Sequence, residues 1–155
     1  NLAGNELQAD RVRQARQVLP ASVRVDEGNA LDLARPPGSV DVVLQSLVFS
    51  SILDAEVQVM LARRMWDWVS PGGGVLWYDF TMDNPANADV RGVPLPRVRQ
   101  LFPAAEMHAW RVTLAPPLSR WVTRLHPALY GWLNLLPWLR THRLCWLRKP
   151  EGPSK

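Results

Sequence analysis

An acidic residue, Glu6, lies at the end of the first apolar segment of the chain, residues 2–7. That segment is predicted to be a short strand, and residues 8–19 a helix, because apolar residues recur there at helical spacing. A carboxylate at a strand end of a nucleotide-binding sheet can accept hydrogen bonds from both ribose hydroxyls. Glu6 is therefore a candidate nucleoside-binding residue. Sheets that bind NAD place an acid at the same point, so Glu6 alone does not select the cofactor.

A second group of residues could take a proton from a substrate. Asp79 and Tyr78 stand at the end of another apolar strand, and His126 and His142 are the other available bases. Asp79 could equally cap a loop, and His108 is expected to be structural because it lies on a predicted apolar strand face. No pair of histidines or cysteines has the spacing of metal ligands, so no metal site is predicted. The sequence also contains no serine elbow and no phosphate loop.

The first half of the chain alternates strands with helices. Residues 23–25 and the apolar run 40–44 are predicted strands, the second of them covered on both faces as in a parallel sheet. Asp54 can cap the helix that follows. The run Ser70-Pro71-Gly72-Gly73-Gly74 is predicted to end that helix and to turn the backbone into a strand over residues 75–79. This order predicts an α/β fold with a parallel sheet.

The second half is less regular. It comprises a polar loop at 83–89, a short helix at 97–102, a strand at 106–114, helical pieces over 116–138 interrupted at Pro127 and Pro137, and a final strand at 143–148. Residues 1–150 are predicted to form one domain, followed by a disordered tail at 151–155.

Several short motifs resemble, in order and spacing, successive motifs of the class I methyltransferases that use S-adenosylmethionine. They are Gly28-Asn29-Ala30-Leu31, Ser39-Val40-Asp41-Val42-Val43-Leu44-Gln45 and Pro71-Gly72-Gly73, and the resemblance covers about residues 2–80. Residues 45–54, with Trp77-Tyr78-Asp79-Phe80 and Asn84-Pro85, are similar to a bacterial subgroup of that family. The resemblance implies a Rossmann-like, mostly parallel sheet whose last two strands form an antiparallel edge pair.

The resemblance also implies which residues hold the cofactor. Glu6 would bind the ribose, and Asn29 takes the place of an aspartate that accepts from the adenine amino group. An asparagine carbonyl can accept the same hydrogen bond without charge. The other implied cofactor residues are Leu7 beside Glu6, Ala30 and Leu31 beside the adenine, and Gln45 and Ser46 near the methionine end. The catalytic candidates are Asp79, Tyr78 and His126.

The family's first strand and its glycine loop are missing from residues 1–155. In the family that strand lies in the middle of the sheet, between the strand with Glu6 and the strand with Asp41. Its loss is expected to leave two unpaired strand edges and to remove apolar burial. Residues 1–155 alone are therefore expected to bind the cofactor poorly or not at all.

Composition limits the remaining classes. The chain is 47% hydrophobic and 21% charged, which is typical of a globular protein. Its 18 basic residues include only two lysines and are spread along the chain, so no nucleic-acid partner is predicted. The single cysteine, Cys145, excludes an intramolecular disulfide and is expected to pack in the core, which fits a cytoplasmic protein.

The last third is rich in tryptophan and arginine. Residues 128–139 are apolar but shorter than the ~20 residues that span a bilayer. They could form a core helix, a lid over the site or an interfacial helix at the inner membrane surface that meets a lipid-linked substrate.

The predicted function is methyl transfer from S-adenosylmethionine to an unknown small-molecule or lipid-linked acceptor. The alternative is a non-catalytic remnant that acts as an interaction or membrane-surface module through the Trp/Arg-rich end. An NAD-dependent oxidoreductase is the weakest of the three, because no tyrosine-lysine pair is found. The sequence predicts no oligomeric state.

Overall fold

The computed structural model describes residues 2–83 and 87–152. The chain divides into two compact units, Asn1–Pro36 and Pro37–Lys155, which are taken here one at a time. Asn84 and Pro85, which belong to the subgroup resemblance, and residues 153–155 of the predicted tail lie outside the described residues. The prediction of a single domain over residues 1–150 stays a prediction.

The first unit is a strand, a helix and a parallel strand, as the sequence predicts. It consists of β1 (Ala3–Glu6), α1 (Ala9–Val18), β2 (Arg24–Glu27) and a single 3-10 turn at Ala30–Asp32. β1 and β2 pair in parallel with Glu6 opposite Glu27. Val12 on α1 is buried, and Arg16 on the same helix donates to the Val25 carbonyl at 2.7 Å, which ties α1 to β2.

The second unit is a four-stranded sheet with helices. Its elements are β3 (Val40–Ser46), α2 (Ala55–Trp68), β4 (Val69–Phe80), α3 (Leu95–Leu101), β5 (Glu106–Leu114), α4 (Pro116–Leu125), α5 (Pro127–Asn134) and β6 (Arg140–Arg148), with 3-10 turns at Phe49–Ser51 and Pro137–Leu139. The strand order is β3-β4-β6-β5. β3, β4 and β5 run in one direction and β6 runs against them. The mostly parallel sheet with an antiparallel edge pair is therefore confirmed.

Helix α2 begins where the sequence predicts. The Asp54 carboxylate accepts from the backbone N–H groups of Glu56 at 2.7 Å and Val57 at 3.3 Å, which satisfies two of the four free donors of the first turn. One face of the helix is buried through Leu61, Ala62, Met65 and Trp68. Burial of a large apolar side chain contributes roughly 1.5–3 kcal/mol, so this face holds α2 on the sheet.

The core of the second unit centres on Trp77 of β4, which is fully buried. Its ring lies 4.4 Å from the ring of Phe49 and 6.0 Å from that of Phe102, both also buried. Cys145 on β6 pairs with Trp77 and is buried as expected, and that burial raises the pKa of its thiol to about 11.

The prediction that residues 70–74 form a turn before the strand is wrong. β4 begins at Val69, directly after α2, and runs through the glycines. Val40 pairs with Val69 and Val42 with Gly74, so the single residue Asp41 faces residues 70–73 across a bulge. Gly72 has φ +80°, a conformation that favours glycine. The glycines therefore allow a bulge inside the strand rather than ending a helix.

The face of β5 that carries His108, predicted to be apolar, is exposed over most of its length. His108 and Trp110 are exposed, Trp110 by 51%, and their rings stack on each other 6.5 Å apart. Only Leu114, at the end of that face, is fully buried. β5 is the edge strand, and alternation alone does not show which part of an edge strand is covered.

Four strands are paired on one side only within the described part of the chain, β1 and β2 in the first unit and β3 and β5 in the second. β1 pairs with β2 alone and β3 with β4 alone. The strands with Glu6 and Asp41 are thus each paired on one side only, and the expectation that a missing strand leaves these edges unpaired stays a prediction. The expectation that β3 is covered on both faces is wrong, because Val42 and Leu44 are largely exposed.

The last third contains the predicted helical pieces, α4 and α5, separated before Pro127. Within residues 2–83 and 87–152, no helix is both long enough and apolar enough to cross a membrane.

The bulge leaves no room for a side chain at Gly73. A Cβ at this position would lie 2.3 Å from the backbone oxygen of Asp41, so the backbone would have to move. We expect Gly73→Ala to lower the free energy of unfolding by about 1–3 kcal/mol. Urea unfolding, monitored by tryptophan fluorescence, measures this free energy for the second unit, because all eight tryptophans belong to it.

Gly131→Ala is the matched control. Gly131 lies inside α5 with nothing within 4 Å of its Cβ direction, so alanine should be neutral or stabilising by up to about 1 kcal/mol. Equal effects of the two substitutions would contradict the proposed role of the bulge.

Candidate functional site

The carboxyl edge of the four-stranded sheet brings several polar side chains together. β3 and β4 are parallel, and Ser46 pairs with Tyr78 near the ends of both. β6 runs in the opposite direction, so its first residues meet the end of β4, with His142 opposite Phe80. Open α/β sheets bind their ligands at this edge.

The loop after β3 is fixed to the backbone of Tyr78. Leu47 has φ +58°, an uncommon conformation for a residue with a side chain, and its N–H donates to the Tyr78 carbonyl at 2.9 Å. The Gln45 side-chain amide donates to the same carbonyl at 3.3 Å, and its oxygen accepts from the Val48 N–H at 3.2 Å. The structure therefore gives the buried Gln45 a role in shaping the loop, while Ser46 is exposed.

The Tyr78 side chain contacts a second strained residue. Thr113, near the end of β5, has φ +60°, which is rare for a β-branched residue. Its hydroxyl lies 2.8 Å from the Tyr78 hydroxyl. Among the described residues, Leu47 and Thr113 are the non-glycine residues with positive φ, and both bond to Tyr78. Backbone strain of this kind clusters at functional sites, which marks the surroundings of Tyr78 as a candidate site.

The His142 imidazole lies against the ring of Tyr78. The two rings are stacked 5.2 Å apart, and the edge of Phe80 approaches the imidazole at 6.0 Å. Burial lowers the pKa of His142, and the charge of Asp79 raises it by less. The imidazole is therefore neutral at neutral pH.

Asp79 lies on the opposite face of β4 from Tyr78 and is fully buried. Its carboxylate accepts from the backbone N–H groups of Ser50 at 3.2 Å and Phe80 at 3.0 Å. Burial raises the pKa of Asp79, while hydrogen bonds from Ser50, Phe80 and Gln45 lower it by less. These contacts hold the 3-10 turn at Phe49–Ser51 against β4, so the structure gives Asp79 a positioning role. Its role as a base stays a prediction.

His126 is not among the groups that surround Tyr78. It is exposed, and its Nδ1 accepts from the Ala128 N–H at 3.2 Å, which caps the start of α5. Its catalytic role therefore stays a prediction too. Sequence reasoning missed Thr113, because nothing in its neighbours signals a positive φ or a contact with Tyr78, 35 residues away.

The first unit has a comparable edge at the ends of β1 and β2. The N–H of Gly28 donates to the Glu6 carbonyl at 3.0 Å, so the turn that leads to Asn29 lies beside Glu6. The Glu6 carboxylate, about one third exposed, accepts from the Gln8 N–H at 2.9 Å. The Asn29 side-chain oxygen accepts from the Leu31 N–H at 3.0 Å and caps the 3-10 turn.

Apolar side chains adjoin these polar groups. Leu7 is exposed, and Ala30 and Leu31 are half-buried. In the described ranges, no three His, Cys, Asp or Glu residues are arranged to hold a metal ion.

The sequence matches no family model and no curated protein. Solved structures do match over nearly the whole chain. A SAM-dependent methyltransferase from Methanosarcina mazei is 11% identical with a TM-score of 0.68, over 97% of this chain and 82% of that one. One from Archaeoglobus fulgidus is 10% identical with a TM-score of 0.71, over 95% and 75%. One from Mesorhizobium loti is 16% identical with a TM-score of 0.65, over 95% and 79%. At these identities the likeness concerns the fold, and the chain has the fold of the class I SAM-dependent methyltransferases.

Proposed function

We propose that this protein transfers a methyl group from S-adenosylmethionine to a small-molecule or lipid-linked acceptor. The observation that carries the proposal is the placement of Glu6 beside the turn that leads to Asn29, at the carboxyl ends of two parallel strands in a chain with this fold. A carboxylate at that point suits the two hydroxyls of a ribose.

The residues of the first unit fit the nucleoside. A carboxylate offers about four acceptor positions, so Glu6 can accept from a ribose while it keeps its bond to the Gln8 N–H. The Asn29 carbonyl keeps a second lone pair for an adenine amino group after it accepts from Leu31. Leu7, Ala30 and Leu31 offer apolar surface to a purine ring.

The loop after β3 suits the methionine end. Ser46 is exposed there, and Gln45 fixes the loop from below through Tyr78 and Val48. We assign the contact with the methionine part to Ser46 and the backbone around it, and a positioning role to Gln45.

When bound, S-adenosylmethionine would supply an electrophilic methyl group on a sulfonium sulfur. The chain's own task is to hold the acceptor atom in line with that methyl. The Tyr78 hydroxyl is held by Thr113 and can accept a hydrogen bond from an O–H or N–H group of the methyl-accepting substrate. That bond would orient the lone pair of the substrate's oxygen or nitrogen. His142 supports the ring of Tyr78 by stacking and acts as a positioning residue.

A non-catalytic interaction module is the second candidate. It is favoured by the exposed tryptophans of the last third, among them Trp121 and Trp132. The two functions differ in whether the protein binds S-adenosylmethionine.

The proposed ribose contact predicts a change in cofactor affinity. In protein made from the whole reading frame, we expect Glu6→Ala to weaken S-adenosylmethionine binding about tenfold or more, because hydrogen bonds to charged groups contribute roughly 1.5–3 kcal/mol. Calorimetric titration measures it. Glu151→Gln, which alters an exposed carboxylate of the second unit, should leave the affinity unchanged.

Equal affinity of Glu6→Ala and the unaltered protein would reject the assigned ribose contact. Absence of binding by the unaltered protein would favour the non-catalytic module.

A further prediction concerns the acceptor. Labelled S-adenosylmethionine is mixed with the protein and with cell extracts of the source organism, and the label is counted in the aqueous and organic phases. We expect Tyr78→Phe to slow transfer about a hundredfold, because the acceptor loses its alignment. Tyr130→Phe alters the only other tyrosine and should have no effect. Equal rates for the two variants would exclude the assigned role of Tyr78.

A further inference from the structure

The α4 and α5 helices lie at the same sheet edge as the candidate site of the second unit. β5 runs parallel to β3 and β4, so its last residue, Leu114, is at the carboxyl edge. Leu114 pairs with Arg140, the first residue of β6, and the Ala115 N–H donates to the Leu139 carbonyl at 2.9 Å. The whole segment 115–139 therefore leaves and re-enters the sheet at that edge.

This segment exposes an apolar surface, which we call the tryptophan surface. Its members are Trp121, Leu125, Leu129, Trp132, Leu135 and Trp138. Trp121 and Leu125 share one face of α4, four residues apart, and Leu129 and Trp132 share one face of α5, three residues apart. The three tryptophans are 61%, 72% and 70% exposed, which is unusual for the largest apolar side chain. Exposed apolar patches of this kind mark interaction sites.

The segment that carries the tryptophan surface has charges of one sign. Between Glu106 and Glu151 the sequence contains seven arginine and lysine residues and neither aspartate nor glutamate. Arg120 and Arg124 lie next to Trp121 and Leu125 in the sequence and are exposed on α4. No ion pair within the described ranges includes either arginine. A partner that has a negatively charged surface over an apolar interior would complement this surface.

An anionic lipid bilayer has both properties. Tryptophan and arginine favour the headgroup layer, where an apolar ring or stem meets the hydrocarbon and the polar end stays hydrated. α4 has 10 residues and α5 has 8, so these helices can present their apolar faces to a bilayer by lying along it. A protein partner would also bury tryptophans, but the absence of acidic residues over this whole stretch favours a surface that is uniformly negative.

We propose that the tryptophan surface docks on an anionic membrane and seats the carboxyl edge of the four-stranded sheet at the headgroup level. This inference does not depend on the proposed methyl transfer, because it rests on the segment 115–139 alone. Where both hold, Tyr78 at the same edge meets acceptors dissolved in the membrane.

Vesicle flotation tests the proposal. The protein is mixed with vesicles of phosphatidylcholine and phosphatidylglycerol, or of phosphatidylcholine alone, and the floated fraction gives a partition coefficient. We expect binding to the anionic vesicles that is weakened by salt, and Arg120→Glu with Arg124→Glu should lower the coefficient about tenfold or more. The matched control, Arg63→Glu with Arg64→Glu, makes the same charge change on the exposed side of α2 and should have little effect.

A second set of variants tests the contribution of the tryptophans to membrane binding. Trp121→Gln with Trp132→Gln should also lower the coefficient about tenfold, whereas Trp110→Gln, on β5, should not. Fluorescence and circular dichroism of each variant show that it is folded.

Failure of the unaltered protein to float with anionic vesicles would overturn the proposal. So would flotation of the Arg120→Glu with Arg124→Glu variant and of the Trp121→Gln with Trp132→Gln variant to the same extent as the unaltered protein. A dimer in solution that the Trp121→Gln with Trp132→Gln variant dissociates would assign the surface to a second copy of the chain and would also overturn it. None of these results involves S-adenosylmethionine, so they are separate from the test of methyl transfer.

Discussion

The backbone carbonyl of Tyr78 is the point on which the carboxyl edge of the sheet depends. It accepts from the Leu47 N–H and from the Gln45 side chain, and so forces the loop after β3 into a left-handed turn at Leu47. The residues before and after Tyr78 fix other parts of the unit. Trp77 fills the core, and Asp79 holds the turn at Phe49–Ser51. Three successive residues of β4 thus fix the core, the loop and the turn that border the candidate site.

Leu47 and Thr113 keep their strained conformations only because β4 is itself held in place by its neighbours. β4 is paired with β3 on one side and with β6 on the other, and its inward side chains are buried against α2 and its aromatic neighbours. Residues in sparsely populated conformations cost on the order of 1–3 kcal/mol each and persist where the surroundings overdetermine them. The site is therefore pre-organised by the central strand, with Tyr78 held through both its backbone and its hydroxyl.

Local patterns predicted most of the elements. Asp54 with an apolar helical face identified α2, and the alternating residues 106–114 identified β5, because each signal lies within one element. The glycine run was misread because glycines after a helix are ordinarily a stop signal, whereas the pairing of Val40 and Val42 with β4 decides that they form a bulge. The contact of Thr113 with Tyr78 had no sequence signal, since it depends on strand order. Glu6 and Asn29 were predicted from strand position and motif, and Glu6 ends β1 while Asn29 caps the turn after β2. Their binding roles stay predictions.

The central proposal is that Glu6 and Asn29, at the ends of β1 and β2, bind the nucleoside part of S-adenosylmethionine. Hydrogen exchange of backbone amides, measured by mass spectrometry on protein from the whole reading frame, tests it most directly. Adding S-adenosylmethionine should slow exchange around Glu6 and around Asn29, and should leave the outer part of β5 unchanged. Unchanged exchange in both segments at saturating S-adenosylmethionine, or slowing confined to other parts of the chain, would contradict the account.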